Sequence, residues 1–376
     1  MNNNNTTLPG YAICSPERTA RYAERTENGE YDLMSWEVAW RDRSSYLRER
    51  GYILRPRYQP GWTPSWKNTN RDPHFCEDSI KLMYHNVIDA TRSSDGGRVS
   101  IKTVKATTQE AEIGLYLSRP ELRQDPRNHA VEVFEVLPDP LNISRKLVVM
   151  RYLCPFNEPE FLAIGEVVDF IGQTLECYKG LFFLHSQRIA HRDCAAGNIM
   201  MDGRPLYPQG HHPVRRAYAP DAVWHVHPLA RIDHLVKYYF IDFGISSHFR
   251  EGETPLVLGT KGRDKEPPEL SDVTPYNPFM LDIYILGNVY KKEFLEKYYG
   301  LEFLQPLISS MLQEEPGLRP TADAAHLQFM RIRTGLNPSL LRWRLRSRKE
   351  SAPERVVYDT VAAAREGIYH LKRLVA

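Results

Sequence analysis

The sequence predicts an α+β fold in which a strand-rich region is followed by a helix-rich region. The first region, residues 78–151, holds short runs of β-branched and aromatic residues on either side of an Asp-Gly turn at Asp95. The second region, residues 152–333, holds apolar residues at helical spacing, most clearly over 164–188. A short link near Tyr152 joins them, so we expect two lobes of different character.

The individual elements follow from the same patterns. In the strand-rich region, strands are predicted at 87–91, 99–102, 131–136 and 146–150, and one helix at 109–117. In the helix-rich region, helices are predicted over 164–188 and within 282–299, and a strand at 238–241.

Two extensions flank these regions. Residues 1–77 comprise a polar lead, a helix with aromatic residues over 34–50, and a Pro/Trp/Tyr-rich segment over 54–66. That segment is either a proline-rich partner motif or an extended strap that buries its aromatic rings, because proline at this density excludes a long helix. Residues 334–376 form a basic tail with helical periodicity. This tail predicts a membrane-surface helix, a contact for an acidic partner, or a solvated helix docked on the main domain.

A long insertion, residues 203–236, is rich in His, Pro and Arg. Its histidines include His211 and His212, and imidazole is a good metal ligand. No cysteine accompanies them, so a solvated loop is the alternative that we prefer.

The composition is that of a globular protein of mixed charge. Of the 376 residues, 42% are hydrophobic and 26% are charged, and the net charge is +2. This balance predicts no general nucleic-acid binding. Five cysteines without a C-x-x-C pair predict reduced thiols and a cytoplasmic or nuclear location. No signal-peptide pattern follows Met1, and no apolar run reaches the roughly 18 residues of a membrane span.

Residues 191–198 read HRDCAAGN, and this octet resembles the catalytic loop of the eukaryotic protein kinases. The resemblance implies that Asp193 is the base that accepts the proton of the acceptor hydroxyl. It also implies that Asn198 binds Mg²⁺ through its side-chain oxygen and that Arg192 receives a phosphate from the activation segment. An exposed Asp and Asn are also ordinary turn formers, which is the alternative.

Some forty residues further on, the strand at 238–241 runs into Asp242-Phe243-Gly244. This triplet resembles the D-F-G motif of the same family, which implies that Asp242 coordinates Mg²⁺. The segment from here to Glu269 corresponds to the activation segment. Its candidate phosphate acceptors are Ser246, Ser247, Thr254 and Thr260.

Upstream, residues 99–102 (VSIK) resemble the V-A-I-K strand whose lysine grips the α- and β-phosphates of ATP. Lys102 would be this lysine. Glu112 on the next helix would orient it, with Glu110 as the second choice. The resemblance also implies an adenine pocket, formed by Val87, Ser100, Met150, Arg151 and Leu153.

Three further motifs follow in the family's order, namely Pro267-Pro268-Glu269, Asp282–Gly287 and Arg319-Pro320-Thr321. By resemblance, Asp282 braces the catalytic loop and Arg319 pairs with Glu269. The likeness covers about 78–333. It implies a two-lobed protein kinase-like fold with a β-rich N-lobe, 78–151, and an α-helical C-lobe, 152–333. The whole arrangement is similar to divergent kinase-like proteins of mushroom-forming fungi.

The pattern breaks at the phosphate contacts. The three glycines of the phosphate-covering loop fall on Ile80, Leu82 and His85, so backbone N–H groups cannot approach the phosphates as closely. His85 either donates to a phosphate itself or lies on a loop that does not cover the nucleotide. Ala195 and Gly197 stand where serine/threonine and tyrosine kinases, respectively, carry a cation. We therefore expect slow turnover or a cation from elsewhere, with the Arg-rich insertion as a candidate source.

These observations leave three functions open. The first is an ATP- and Mg²⁺-dependent protein kinase with a protein substrate, acting on Ser or Thr in preference to Tyr. The second is a catalytically impaired pseudokinase that acts as a scaffold or nucleotide-dependent switch. The third, a small-molecule phosphotransferase, is disfavoured by Glu269 and by Asp282–Gly287, which are motifs of protein kinases.

Overall fold

The computed structural model describes residues 8–175 and 180–375 and confirms a mixed architecture of helices and sheets. The described elements group into two compact units. Unit 1 comprises three segments: the chain up to Thr107, Val133–Tyr152 and Tyr207–Pro228. Unit 2 comprises Thr108–Glu132, Leu153–Leu206 and the chain from Leu229 onward.

Unit 1 is built on a five-stranded antiparallel sheet with the strand order β1-β2-β3-β5-β4. The strands are β1 Tyr52–Leu54, β2 Val87–Arg92, β3 Arg98–Lys105, β4 Val133–Pro138 and β5 Arg145–Arg151. The four strands predicted for this region are confirmed, and β1 adds an edge strand. The predicted turn is confirmed too. Asp95 Oδ1 accepts the N–H of Gly97 at 3.0 Å, and Gly96 has a φ of +70°, which glycine adopts without steric cost.

The N-terminal extension packs on this sheet through aromatic side chains. It contains helices α1 Pro16–Glu27 and α2 Ser35–Glu49, and the latter confirms the predicted aromatic helix. Trp40 of α2 and Tyr58 belong to the apolar core formed with residues of the sheet. Tyr58 and Trp66 are only 0% and 3% exposed, which supports the interpretation of 54–66 as a strap that buries its rings.

The connection from β1 to β2, residues 55–86, contains the positions expected for the glycine-rich loop. It carries three short 3₁₀ turns, Pro56–Tyr58, Pro73–Phe75 and Glu77–Ser79. A long packed connection with no glycine at positions 80, 82 and 85 therefore stands at this place.

Contacts within unit 1 hold the end of this connection. The carbonyl oxygen of Ile80 accepts a hydrogen bond from Arg55 Nη1 at 3.1 Å, and that of His85 accepts one from Trp40 Nε1 at 3.0 Å. Leu82 is partly buried against the apolar core. The side chain of His85 is exposed.

The insertion, residues 203–236, was expected to be a solvated loop, and the structure corrects this expectation. Tyr207–Pro228 belongs to unit 1, where His211 and His212 are 4% and 0% exposed. Arg98 Nη1 donates to the carbonyl oxygen of His211 at 2.7 Å. Burial disfavours the charged imidazole and lowers the pKa of His211 to about 4. The prediction of a solvated loop treated histidine as a polar surface residue. An uncharged histidine, however, can be buried.

Unit 2 contains the other elements. Its helices are α3 Glu110–Leu117, α4 Pro120–Arg123, α5 Ile164–Leu175, α6 Leu181–Ser186, α7 Pro278–Tyr290, α8 Gln305–Met311, α9 Ala322–Thr334, α10 Pro338–Arg342 and α11 Ala352–Val375, with a π-helical turn at Lys291–Leu295. Its short strands are β6 Cys154–Pro155, β7 Ile189–Ala190, β8 Ile199–Met201, β9 Tyr238–Phe240, β10 Ser247–His248, β11 Val257–Gly259, β12 Ser271–Tyr276, β13 Tyr298–Tyr299 and β14 Arg346–Ser347.

One helix prediction needs correction. The single helix expected over 164–188 is described as two helices, α5 and α6, and residues 176–179 lie outside the described part of the chain. Helix α6 begins after Gly180, which has a φ of +66°. A Cβ atom on Gly180 would lie 2.4 Å from the carbonyl oxygen of Thr174, so only glycine fits this position.

The basic tail docks within unit 2 by backbone hydrogen bonds. The N–H of Ile164 donates to the carbonyl oxygen of Trp343 at 3.0 Å, and the N–H of Leu345 donates to that of Leu162 at 2.8 Å. These contacts fix residues 343–345, which precede helix α11, within unit 2. Helix α11 confirms its helical periodicity.

Four cysteines, Cys14, Cys76, Cys154 and Cys194, are buried free thiols. Cys177 and the polar lead at residues 1–7 lie outside the described residues. Over residues 8–175 and 180–375, the chain forms no helix long and apolar enough to cross a membrane. The same residues contain no group of three or more His, Cys, Asp or Glu side chains that could hold a metal ion.

Candidate active site

The candidate catalytic residues lie in unit 2, on the loop between β7 and β8 and directly after β9. Strands β8 and β9 are antiparallel neighbours, with Ile199 opposite Phe240. One further backbone bond extends this pairing, from the N–H of Ile241 to the carbonyl oxygen of Asn198, at 3.0 Å. Asn198 and Asp242 are thereby held next to each other at the ends of the two strands.

Asn198 is oriented by Asp193. Its Nδ2 donates to Asp193 Oδ2 at 2.8 Å and to the carbonyl oxygen of Asp193 at 2.9 Å. Both amide protons are therefore used, and the amide oxygen is left to bind a cation. With the carboxylate of Asp242 it forms a pair of hard oxygen donors, which suits Mg²⁺, an ion that also keeps water and phosphate oxygens as ligands.

The carboxylate of Asp193 is held at both oxygens. Oδ2 accepts from Asn198, and Oδ1 accepts the backbone N–H of Arg263 at 2.7 Å. Burial raises the pKa of Asp193, although the Arg263 N–H and the positive charge of Arg263 oppose the rise. Each carboxylate oxygen keeps a further lone pair, so the group can still accept a proton.

His191 connects the catalytic loop to the strand before Asp242. It is fully buried, and burial lowers its pKa, so the ring is neutral at neutral pH. Its Nε2 lies 3.0 Å from the carbonyl oxygen of Ile241, and its Nδ1 lies 3.3 Å from the N–H of Asp193. This pattern assigns the proton to Nε2 and the lone pair to Nδ1. The ring also contacts Phe243, with 5.0 Å between ring centroids.

Asp282 on α7 braces the same loop, as predicted. Its Oδ2 accepts the N–H of His191 at 2.8 Å, and its Oδ1 accepts the N–H of Arg192 at 2.6 Å. His185 Nε2 lies 2.9 Å from Oδ2. The predicted pair of Arg319 with Glu269 is also confirmed, with an N–O distance of 2.5 Å.

Two residues of this site have a strained backbone. Arg192 and Asp242 have φ values of +66° and +64°. A non-glycine residue in this region costs about 1–3 kcal/mol, and such residues cluster at functional sites. The strain persists because Asp282 and the β8–β9 pairing hold the backbone on both sides.

Of the two candidate glutamates of α3, Glu110 lies nearer the motif after β9. A Cβ atom on Gly244 would be 3.3 Å from Glu110 Oε2, so this carboxylate lies against the glycine that follows Phe243. Glu112, which the sequence favours, has an exposed side chain. Within unit 2, Glu110 is therefore the α3 glutamate that lies beside Gly244.

The residues predicted to contact ATP divide between the units. Val87, Ser100, Lys102, Met150 and Arg151 lie in unit 1 on β2, β3 and β5. Val87 lies opposite Lys102, Ser100 opposite Met150, and Val99 opposite Arg151, and Lys102 is buried. Leu153 belongs to unit 2, directly before β6.

The predicted phosphate acceptors differ in access. Ser246 is buried, and its hydroxyl donates to the carbonyl oxygen of His191 at 2.9 Å, so it does not point to solvent. Ser247 Oγ accepts from Arg192 Nη1 at 3.3 Å. Arg192 Nη2 donates to the carbonyl oxygen of Leu258 at 2.8 Å. Ser247 is thus the predicted acceptor that already contacts Arg192.

Sequence reasoning missed Arg263. Its backbone binds Asp193, and its guanidinium lies where a side chain on Gly197 would be. The only signal in the sequence was the glycine at 197. We interpreted it as the loss of a cation, whereas it leaves space for the side chain of Arg263.

No family model matches this chain. The chain is similar to serine/threonine-protein kinase TOS3 of Saccharomyces cerevisiae, in strains YJM789 and ATCC 204508 / S288c. Identity is 27% over 139 residues in each case. The match covers 32% of this chain and 25% of the yeast protein, so the chain spans about a quarter of its relative's length. The similarity to this kinase is distant and covers only part of each chain.

Proposed function

We propose that this chain is a protein kinase that transfers the γ-phosphoryl group of ATP to a hydroxyl group of a protein, Ser or Thr in preference to Tyr. One observation carries the proposal: Asp193 is hydrogen-bonded to Asn198, which is held beside Asp242. A base and two metal ligands in this arrangement are what phosphoryl transfer needs. The likeness to a serine/threonine kinase supports the choice of acceptor.

The chemical step assigns one role to each group. The bond between the γ-phosphorus and the bridging oxygen of ADP breaks, and a bond from the acceptor oxygen to the phosphorus forms. The hydroxyl proton passes to the carboxylate of Asp193, which later releases it to water. Asn198 and Asp242 would hold Mg²⁺, which neutralises phosphate charge when bound.

The same proposal assigns nucleotide contacts to other residues. Lys102 would contact the α- and β-phosphates of ATP. Within unit 2, Glu110 would be the α3 carboxylate beside the metal-binding motif, since it lies against Gly244. Val87, Ser100, Met150, Arg151 and Leu153 would contact adenine. We propose a cytoplasmic or nuclear location, which the four buried free thiols support.

The decisive experiment is phosphate transfer from radiolabelled Mg·ATP to a mixture of Ser-, Thr- and Tyr-containing peptides. We expect Asp193→Asn to lower the rate by about 10²–10⁴-fold, the usual contribution of a positioned base. Glu251→Gln is the matched control, because Glu251 is an exposed acid of the activation segment and should leave the rate unchanged. Equal rates in Asp193→Asn and the wild type would refute the role of Asp193.

A second function, a nucleotide-dependent switch without catalysis, is favoured by the connection 55–86. This packed segment has no glycine at 80, 82 or 85, and the backbone N–H of Ile80, a potential phosphate donor, already donates to the carbonyl oxygen of Glu77 at 3.1 Å. Binding of Mg·ATP, measured by calorimetry, without any transfer to peptides would support the switch over the kinase.

A further inference from the structure

The catalytic loop has no cation at position 195 or 197, but a cation from another segment reaches Gly197. Gly197 has no side chain, and the guanidinium of Arg263 lies over it. A Cβ atom at position 197 would be 2.9 Å from Arg263 Nη1 and 3.1 Å from Cζ. Such contacts are too short, so a side chain at 197 would displace the guanidinium. The glycine therefore provides the space in which Arg263 lies.

The backbone around Arg263 is fixed against the catalytic loop. Its N–H donates to Asp193 Oδ1 at 2.7 Å. Gly262 precedes Arg263 and has a φ of +127°, a backbone conformation that residues with a side chain rarely adopt, so glycine permits this approach. On the other side, Asp264 Oδ2 accepts from Asn288 Nδ2 of α7 at 2.7 Å.

Over the described part of the chain, the guanidinium of Arg263 takes part in no ion pair, and the residue is exposed. A charge at this place, exposed and beside the base, can meet an incoming anionic group.

The arginines of the insertion, expected as the alternative source, have other partners. Arg204 pairs with Asp202 in unit 2. Arg215 donates to the carbonyl oxygen of His74 in unit 1. Arg231 is buried, and its Nη2 donates to the carbonyl oxygen of Pro159 at 2.7 Å. The insertion is therefore a poorer source of the missing cation than Arg263.

We propose that Arg263 is the cation that stabilises the transferring phosphoryl group, delivered over Gly197 from the activation segment. This inference rests on the proposed kinase function. As the phosphorus passes from the bridging oxygen of ADP to the acceptor oxygen, negative charge on its outer oxygens meets the planar donors of the guanidinium. The acceptor proton still goes to Asp193, so Arg263 gains and loses no proton.

The test compares Arg263→Ala with Arg250→Ala, which removes the same charge from an exposed position of the same segment. We expect Arg263→Ala to lower kcat by about 10²–10³-fold, the usual loss of one charge-stabilising donor, with KM for ATP changed less than about threefold. Arg250→Ala should match the wild type. Arg263→Lys should retain part of the rate, because it keeps a charge but not the planar donors.

A second measurement does not depend on turnover. Mg·ADP with aluminium fluoride mimics the transferring phosphoryl group, and calorimetry gives its affinity relative to Mg·ADP alone. The wild type should bind the fluoride complex more tightly, and Arg263→Ala should lose most of this preference. In the Arg263→Ala background, Gly197→Arg should restore the preference, because it supplies the cation from the loop itself.

The outcomes separate the two proposals. If the wild type transfers phosphate and Arg263→Ala equals Arg250→Ala, the role of Arg263 is refuted and the kinase function stands. A rate in Arg263→Ala above that of the wild type also refutes it, since Arg263 would then obstruct Asp193. A wild type that neither transfers phosphate nor prefers the fluoride complex refutes both proposals.

Discussion

The loop 191–198 of unit 2 and the connection 55–86 of unit 1 are both assigned to phosphate chemistry by resemblance, yet they are held in different ways. In the loop, Asp282 and Asn198 orient a carboxylate, and the backbone of Arg192 is strained. In the connection, Arg55 and Arg57 are buried and are held in ion pairs. Arg57 and Glu37 are 3.0 Å apart and both are 0% exposed.

The difference shows which region can carry chemistry. A strained loop with oriented, accessible polar atoms is built to meet a reactant. Buried ion pairs with all their donors used are built to hold segments together, and removing one partner leaves an uncompensated charge. We therefore expect variants of the connection to change stability, and variants of the loop to change the transfer rate.

The largest effect on stability should come from Glu37→Ala. It leaves Arg57 buried without its carboxylate and removes the acceptor of Tyr58 Oη, which is 2.8 Å away. Loss of one partner of a buried pair costs about 3–5 kcal/mol in the free energy of unfolding, which urea titration followed by circular dichroism measures. Glu30→Ala is the control, because Glu30 pairs with Arg25 at the surface, where no measurable change is expected. A loss of transfer rate in folded Glu37→Ala would contradict the division between the two regions.

A smaller effect on stability, with a clear effect on rate, is expected for Asp282→Asn. The amide keeps one acceptor oxygen, so only one of the N–H groups of His191 and Arg192 keeps its partner. An unsatisfied buried donor costs about 1–3 kcal/mol in the free energy of unfolding. Because this variant loosens the residues beside Asp193, kcat should fall while KM for ATP changes little. Unchanged kcat with lowered stability would make Asp282 a residue of the fold alone.

The sequence was sufficient where the local pattern and the final structure agree. Strands β2–β5 of unit 1 and the turn at Asp95 follow from runs of β-branched residues and from turn chemistry, and the brace at Asp282 follows from the resemblance of its motif. It was not sufficient where distant segments meet. Nothing local shows that neutral His212 is buried, or that Arg263 lies over Gly197 sixty-six positions away.

The pH dependence of kcat/KM tests the electrostatic environment of Asp193 in the loop. Burial raises the pKa of Asp193, and the base must be a carboxylate, so kcat/KM should fall as the pH drops through this raised pKa. The fall should thus occur at a higher pH than for an ordinary aspartate. In Arg263→Ala the lost positive charge raises the pKa more, so the acid limb should move to still higher pH, whereas Arg250→Ala should leave it in place. Movement of the limb to lower pH in Arg263→Ala would contradict this electrostatic account.

The smallest effect should come from His85→Ala in the connection. Its carbonyl oxygen, not its imidazole, makes the contact with Trp40, and that contact survives the substitution. We therefore expect the Kd for Mg·ATP, measured by calorimetry, to change less than about twofold. A charge-assisted bond from His85 to a phosphate would instead be worth about 1.5–3 kcal/mol, or roughly 10- to 150-fold in Kd. A weakening of that size would mean that the connection, although packed, still contributes a phosphate contact through its exposed side chain.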